Sequence, residues 1–195
     1  MKLRLISRLI VLILVLLVGT AIILKRELGS GVSSPVLQGA LQQERPAPGF
    51  TLVDQNGATI SLAELRGRPV VLTFWDTRCS ADCEESVSTM YAVVSRLGGA
   101  ASQVTWIAVS VDSAHDTQAN VTAFLTNHGL NGNVHYLTGT SSELIAVWSA
   151  YHVGNSTGNL QQGQVYVIDA SGMLRAYMPA GFTADSVISD VRALL

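Results

Sequence analysis

The feature that most constrains the fold is an apolar run of strand length that leads into a pair of cysteines. Residues 69–75 read PVVLTFW and show no polar–apolar alternation. Such a run is typical of a strand buried on both faces, so covering layers are expected on both sides of its sheet. After a loop at 76–80, residues 82–97 have helical apolar spacing and acidic residues in the first turn. Cys79 and Cys83 therefore lie where a buried strand ends and a helix begins.

The rest of the sequence alternates between predicted strands and helices. An Asn-Gly pair within residues 50–60 predicts a β-hairpin. Further strands are predicted at 104–111, 134–137, 164–169 and 173–178, and further helices at 61–65, 117–128, 142–151 and 183–195. The helix over 82–97 is expected to bury Val87, Tyr91, Val94 and Leu97. This order predicts an α/β fold with one central mixed β-sheet flanked by helices.

A second apolar run lies near the N-terminus. Residues 9–24 read LIVLILVLLVGTAIIL, which is sixteen residues without a charge. A full membrane span needs about 20 residues, and the flanking Arg8 and Lys25 can extend this one by snorkelling. A cleaved signal peptide and a buried core helix are the alternatives. Lys25-Arg26-Glu27 stands where cleavage would be expected, so the prediction is an uncleaved N-terminal transmembrane helix.

The chain is predicted to have three parts. Residues 1–28 would be the membrane anchor, and residues 47–195 would be the folded domain. Residues 29–46 are rich in Gly, Ser, Gln and Pro and would be a flexible linker between them. The slight excess of basic residues before the apolar run favours a single-pass protein of the cell membrane with an extracytoplasmic domain. Positions 29–195 contain 7 basic and 13 acidic residues, a net charge of −6, and no lysine. Nucleic acid is therefore not an expected partner.

The spacing of the two cysteines favours thiol or metal chemistry. A bridge between Cys79 and Cys83 would close a very small loop, and such a bridge removes little chain entropy. A helix N-terminus stabilises a thiolate, and Cys79, before the helix, is expected to be the more exposed sulfur. The pair can form a disulfide or hold a soft ion such as Cu(I) between two thiolates. An inert structural bridge and two unrelated buried cysteines remain the alternatives.

Four segments together carry a family resemblance: PVVLTFWDTRC, VSVDSAHDT, HYLTGT and VYVIDASG. With these segments in this order, the chain resembles the SCO/SenC proteins. The resemblance covers residues 47–195 and the anchor, and its most specific part is the C-x3-C spacing of the cysteines. The SCO/SenC proteins are membrane-anchored, thioredoxin-fold copper chaperones of cytochrome c oxidase assembly. The resemblance implies that Cys79 and Cys83 are a redox-active, Cu(I)-binding pair, with Asp112 near the site. It also implies a partner: the copper-site subunit of cytochrome c oxidase or another exported thiol protein.

Two positions depart from the family pattern. Glu84 stands where the family usually has proline after the second cysteine, and Gln161 stands where the family has its copper-ligand histidine. An amide is a poor ligand for Cu(I). His152, in the loop before the late strand, is the histidine best placed to substitute as a metal ligand. The other three histidines are interpreted as surface or helix-end groups: His115, His128 and His135.

Three other functions compete with the chaperone interpretation. The first is a thiol–disulfide oxidoreductase of the TlpA/ResA type, whose sequences match the segment FTLVDQNGATISLAELRGRPVVLTFW as well as the SCO/SenC proteins do. However, the WCxxC motif of that group is absent, and Gly163 occupies the place of its cis-proline. A peroxiredoxin is disfavoured because its PxxxTxxC signature is matched only in part, by Ser80. The third is a non-enzymatic binding module that has kept only the fold. Whether the protein is an enzyme therefore stays open at this point.

Overall fold

The fold is described by a computed structural model for residues 37–39, 45–154 and 160–195. The predicted anchor over residues 1–28 lies outside the described residues, as does most of the predicted linker. Within the described residues, no helix is both long enough and apolar enough to cross a bilayer. The division into anchor, linker and domain stays a prediction.

The described residues form eight strands and four α-helices. The strands are β1 (Arg45–Pro46), β2 (Thr51–Val53), β3 (Thr59–Ser61), β4 (Val70–Trp75), β5 (Thr105–Ser110), β6 (Val134–Leu137), β7 (Val165–Ile168) and β8 (Met173–Met178). The helices are α1 (Ala81–Leu97), α2 (Gln118–Asn127), α3 (Ser141–Ala150) and α4 (Ala184–Leu194). Short 3-10 helices follow β3 and α1, at Leu62–Leu65 and Gly98–Gln103.

Six strands form one mixed sheet in the order β1-β8-β7-β4-β5-β6. The central pairs β4–β5 and β5–β6 are parallel, whereas β7 is antiparallel to both β4 and β8. Strands β2 and β3 pair as a separate antiparallel hairpin. Both the predicted mixed sheet and the predicted N-terminal hairpin are therefore confirmed.

The sheet is covered on both faces, as the unalternating run of β4 predicts. Successive residues of a strand point to opposite faces, so Val71 and Trp75 pack with α1, α2 and α4, whereas Leu72 and Phe74 pack with α3 and the β2–β3 hairpin. All six residues of β4 are buried. Because β4 is held from both sides, its carboxyl end is a fixed platform for the loop that follows.

Helix α1 buries a face slightly different from the predicted one. Tyr91 is 49% exposed, and Met90 takes its place in the core. Adjacent helical residues point about 100° apart, so a face that includes Met90 turns Tyr91 towards solvent. The Tyr91 ring instead lies over Gly129, where a Cβ atom would be 2.9 Å from the ring. The buried side of α1 consists of Cys83, Ser86, Val87, Met90, Val93, Val94 and Leu97.

Candidate functional site: a disulfide at a strand–helix junction

The two cysteines lie at the carboxyl end of β4 and are joined by a disulfide bond, with Cα atoms 5.2 Å apart. Cys79 belongs to the loop and is partly buried, whereas Cys83 is in the first turn of α1 and has no exposed surface. The loop ends at Ser80, the N-cap position, and the Ser80 carbonyl accepts the first helical hydrogen bond from the Glu84 amide (2.9 Å). The predicted order of exposure agrees with the structure, so Cys79 is the sulfur that another molecule can approach.

A buried carboxylate holds the first half of the cysteine loop. Asp116, 5% exposed, accepts hydrogen bonds from the Thr77 amide (2.8 Å), the Ser110 hydroxyl (2.6 Å) and the Tyr136 hydroxyl (2.8 Å). These donors come from the loop, from the end of β5 and from β6. Burial and the neighbouring Asp116 raise the pKa of Tyr136 well above its usual value, so this hydroxyl stays protonated and keeps donating. Asp116 thus fixes the loop to β5 and β6.

Arg78, the residue before Cys79, belongs to a small polar cluster with Asp112 and His115. The Arg78 guanidinium and the His115 Nδ1 atom both contact the Asp112 carboxylate, and His115 is 2.8 Å from it. Burial raises the pKa of Asp112, but the hydrogen bonds from His115, Arg78 and two backbone amides outweigh that effect and hold it below its usual value. Asp112 therefore lies near the site, as the family resemblance implies, and it holds the side chain that directly precedes Cys79.

The loop before β7 lies against the other side of the cysteine loop. Gln162 donates from Nε2 to the Asp76 carboxylate (2.7 Å), and the Gly163 amide donates to the Phe74 carbonyl (3.0 Å). Gly163 has φ of +82°. A Cβ atom on it would lie 3.0 Å from the Asp82 carbonyl and 3.1 Å from the Ser86 Cβ. This loop can approach the first turn of α1 because residue 163 has no side chain.

A cleft of about 460 Å³ opens between this loop and the start of α1. Ser80 and Asp82 form one wall, and Gln161, Gln162 and Gln164 belong to the opposite segment. The remaining lining residues are Leu160, Tyr177, Pro179 and Ala180. The cleft therefore borders the segment that contains both cysteines.

Of the two positions considered for a third copper ligand, Gln161 and His152, only Gln161 lines the cleft beside the cysteine segment. Gln161 is exposed and lines the cleft, whereas His152 is exposed just after α3 and has φ of +55°. Among the described residues, no group of three or more His, Cys, Asp or Glu side chains is placed to hold a metal ion. His152 is thus not grouped with Cys79 and Cys83, and its role as a ligand stays a prediction. The pair supplies two sulfur donors once it is reduced.

The remaining histidines have identifiable partners. His128 at the end of α2 contacts the Phe124 carbonyl through Nδ1 (2.9 Å) and Glu84 of α1 through Nε2 (3.1 Å). His135 on β6 contacts the Asp54 carboxylate (3.1 Å). The helix-end interpretation of His128 agrees with this geometry.

Two residues of the site were not singled out from the sequence: Asp116 and Gln162. Asp116 belongs to the VSVDSAHDT segment, but a single acidic residue in such a segment does not show that it will be buried. Gln162 has no sequence signal, since its contact with Asp76 joins residues 86 positions apart. Both positions depend on tertiary packing around the cysteine loop.

Comparison with known proteins adds a family match. The family model described as SCO1/SenC matches residues 38–195. The mitochondrial SCO2 homologue of Bos taurus is 28% identical over 149 residues, which cover 75% of this chain and 55% of that protein. The chain thus spans about half the length of this relative.

Two solved structures show the same fold. Copper-bound ScoI of Bradyrhizobium japonicum has a TM-score of 0.65 at 24% identity, covering 77% of this chain and 100% of ScoI. BsSco, described as a Sco-family cytochrome c oxidase assembly protein with a disulfide switch, has a TM-score of 0.67 at 24% identity, covering 80% and 97%. The predicted thioredoxin-like arrangement is therefore confirmed for the described part of the chain.

Proposed function

Because the chain belongs to the SCO1/SenC family, we propose that it serves copper-site assembly of cytochrome c oxidase through thiol chemistry, Cu(I) delivery or both. The observation that supports this most directly is the Cys79–Cys83 disulfide at the end of a buried strand, with one sulfur accessible and the other enclosed. The names of its relatives support the assignment, since they include a copper-bound Sco protein and a cytochrome c oxidase assembly protein.

The thiol reaction consists of two exchange steps. The Cys79 thiolate attacks one sulfur of a partner disulfide, forms a mixed disulfide and releases the partner's other sulfur as a thiolate. The Cys83 thiolate then attacks the Cys79 sulfur, which closes the Cys79–Cys83 disulfide and releases the second partner thiol. The partner gains two electrons and this protein loses two. An exported dithiol would reduce the pair again for the next cycle.

Copper delivery would use the same two sulfurs in the reduced state. Cu(I) is a soft ion that accepts two thiolates in low coordination, so Cys79 and Cys83 fit it as cargo. The disulfide form has no thiolate to offer, so oxidation of the pair and copper binding exclude each other. Reduction of the pair would therefore prepare the protein for either task.

We expect that replacing Gln161 by histidine will strengthen Cu(I) binding by the reduced chain. Gln161 lines the cleft beside the segment that contains both cysteines, and an imidazole there would add a third donor that suits copper. The expected gain is at least about tenfold in affinity, equivalent to about 1.4 kcal/mol. Competition titration of the full-length chain against a chromophoric Cu(I) chelator measures it.

Two further variants make this titration decisive. Gln103→His adds an imidazole at an exposed position after α1 and should leave the affinity unchanged. His152→Ala tests the predicted alternative ligand, and an unchanged affinity would exclude it. An equal gain in Gln161→His and Gln103→His would contradict the placement of the third ligand. Loss of binding in His152→Ala would identify the loop histidine as a ligand.

A thiol–disulfide oxidoreductase of the TlpA/ResA type, without copper, is the second candidate. The buried strand, the partly buried first cysteine and the fully buried second cysteine suit this activity equally well. In that case the protein would be an enzyme, and the reduced chain would exchange disulfides without binding Cu(I). Measuring copper binding and exchange on the same preparation separates the two candidates.

We also propose that the protein is anchored in the cell membrane by residues 1–28, with its domain on the extracytoplasmic side. The uncharged run at 9–24 and its basic flanks support this placement. Protease added to spheroplasts should digest the domain, whereas a soluble cytosolic product would contradict the proposal.

A further inference from the structure

Two residues that line the cleft beside the disulfide each have a buried hydrogen-bond acceptor without a partner. In the described part of the chain, Gln162 Oε1 and Gln164 Oε1 are buried and have no hydrogen-bond partner. Gln164 as a whole is 2% exposed, and both residues line the cleft. Buried polar groups are almost always paired in folded proteins, so two unpaired oxygens on residues that line one cleft require an explanation.

The orientations of both amide groups are fixed by their other ends. Gln162 Nε2 donates to the Asp76 carboxylate, which can only accept, so Gln162 Oε1 cannot exchange places with the nitrogen. The Gln164 side chain is hydrogen-bonded to the Tyr166 hydroxyl, whose own proton is donated to the Tyr151 carbonyl (2.5 Å). Gln164 must therefore use its N–H group there. Both unpaired atoms are acceptors.

The opposite wall has a matching charge. Asp82 is exposed and is the only charged residue among the described residues that line the cleft. Tyr177 and Pro179 contribute apolar surface that can cover a methylene chain, and an aromatic face also attracts a cation. The N-terminus of α1 would by itself favour an anion, but the acidic side chains of its first turn, Asp82 and Glu84, oppose that preference.

We propose that this cleft binds a cationic side chain, an arginine, on the partner segment that carries the partner's reactive cysteine. A guanidinium has five N–H donors on a planar group and a methylene stem. It can pair with Asp82 and lay its stem on Tyr177, and it can donate to Gln162 Oε1 and Gln164 Oε1 after a side-chain shift uncovers these two buried oxygens. This inference rests on the proposed thiol function, and it adds a specificity that the cysteine pair alone does not provide.

The test compares exchange rates with three short peptides. Each peptide has one cysteine capped as a disulfide with a chromophoric thiol, and each differs only at a single position near that cysteine: arginine, citrulline or glutamate. Citrulline keeps N–H donors but has no charge. With the reduced full-length chain in detergent micelles, arginine should react at least about tenfold faster than glutamate, with citrulline between them. Equal rates for all three peptides, or a faster glutamate peptide, would overturn the proposal.

Two variants assign the contribution of each wall. Gln164→Met removes an acceptor while keeping an unbranched side chain. It should therefore lower the ratio of the exchange rate of the citrulline peptide to that of the glutamate peptide. Asp82→Asn removes the charge, and it should reduce the advantage of arginine over citrulline. Each result is a ratio of two peptides on one variant, so a change in the reactivity of Cys79 cancels. Gln103→Met, at an exposed position, is the matched control and should leave both ratios unchanged.

A binding measurement separates failure of this inference from failure of the proposed function. The same three peptides with serine in place of cysteine are titrated onto the oxidised chain. If no peptide exchanges but the arginine peptide binds more tightly than the other two, the thiol function fails and the cleft specificity stands. If all three bind with equal affinity, the cleft specificity fails whatever the exchange rates are.

Discussion

Replacing Cys83 by serine should leave the protein covalently attached to its partner through Cys79. The partly exposed Cys79 can attack a partner disulfide, but the resulting mixed disulfide persists because the resolving thiol is absent. Cys79→Ser should form no such complex, since the remaining sulfur of Cys83 has no exposed surface. Non-reducing electrophoresis after alkylation, with each variant expressed in its native compartment, measures the complexes.

The Cys79→Ser/Cys83→Ser double variant is the control for complexes that do not involve this pair. Bands that appear in Cys83→Ser and disappear both in the double variant and on reduction are the expected result. Accumulation of mixed disulfides in Cys79→Ser but not in Cys83→Ser would reverse the two roles. Equal bands in all variants would contradict a redox function for the pair.

Replacing Gly163 by alanine should destabilise the domain far more than an ordinary glycine substitution. At φ of +82° an L-residue is strained by about 1–2 kcal/mol, and the added Cβ would lie 3.0 Å from the Asp82 carbonyl. Relieving that contact requires a backbone shift, and overpacking of this kind costs a further 1–3 kcal/mol or so. The free energy of unfolding, from urea titration of the oxidised chain, should therefore fall by about 2–5 kcal/mol.

Gly181→Ala is the matched control for the backbone strain. Gly181 has φ of +84°, and no described atom lies within 4 Å of a Cβ built there. This variant should cost only the backbone strain, about 1–2 kcal/mol. Equal losses in the two variants would show that contact with α1 does not explain the glycine at 163. Gly163→Pro should be worse still, since it also removes the hydrogen bond to Phe74.

Much of the fold could be predicted because its signals are local. The run from Val70 to Trp75 has no alternation, and the structure buries every residue of it. The Asn56-Gly57 pair predicts a hairpin turn, and Gly57 has φ of +80° there. The cysteine positions at the end of this strand and in the next helix follow from the same patterns. The structure exposes Tyr91, which the spacing predicts as buried, because an apolar period fixes a helix face only to within one residue.

The rest of the site depends on contacts between distant parts of the chain. Asp116 is a charged residue that the structure nevertheless buries. The donors of its three hydrogen bonds meet only when β5, β6 and the cysteine loop come together, so the sequence pattern does not reveal its position. Gln162 and Gln164 have no recognisable motif, and their unpaired oxygens are visible only once the cleft is known. Residue type alone does not reveal which polar group folding will enclose.

The most direct test of the central claim is the copper stoichiometry of the full-length chain in its two redox states. Each reduced chain should bind about one Cu(I) ion, held by the thiolates of Cys79 and Cys83. The oxidised chain and the double serine variant should bind none. If the reduced chain binds no Cu(I), or if the double serine variant binds as much as the native chain, the copper-delivery function is contradicted.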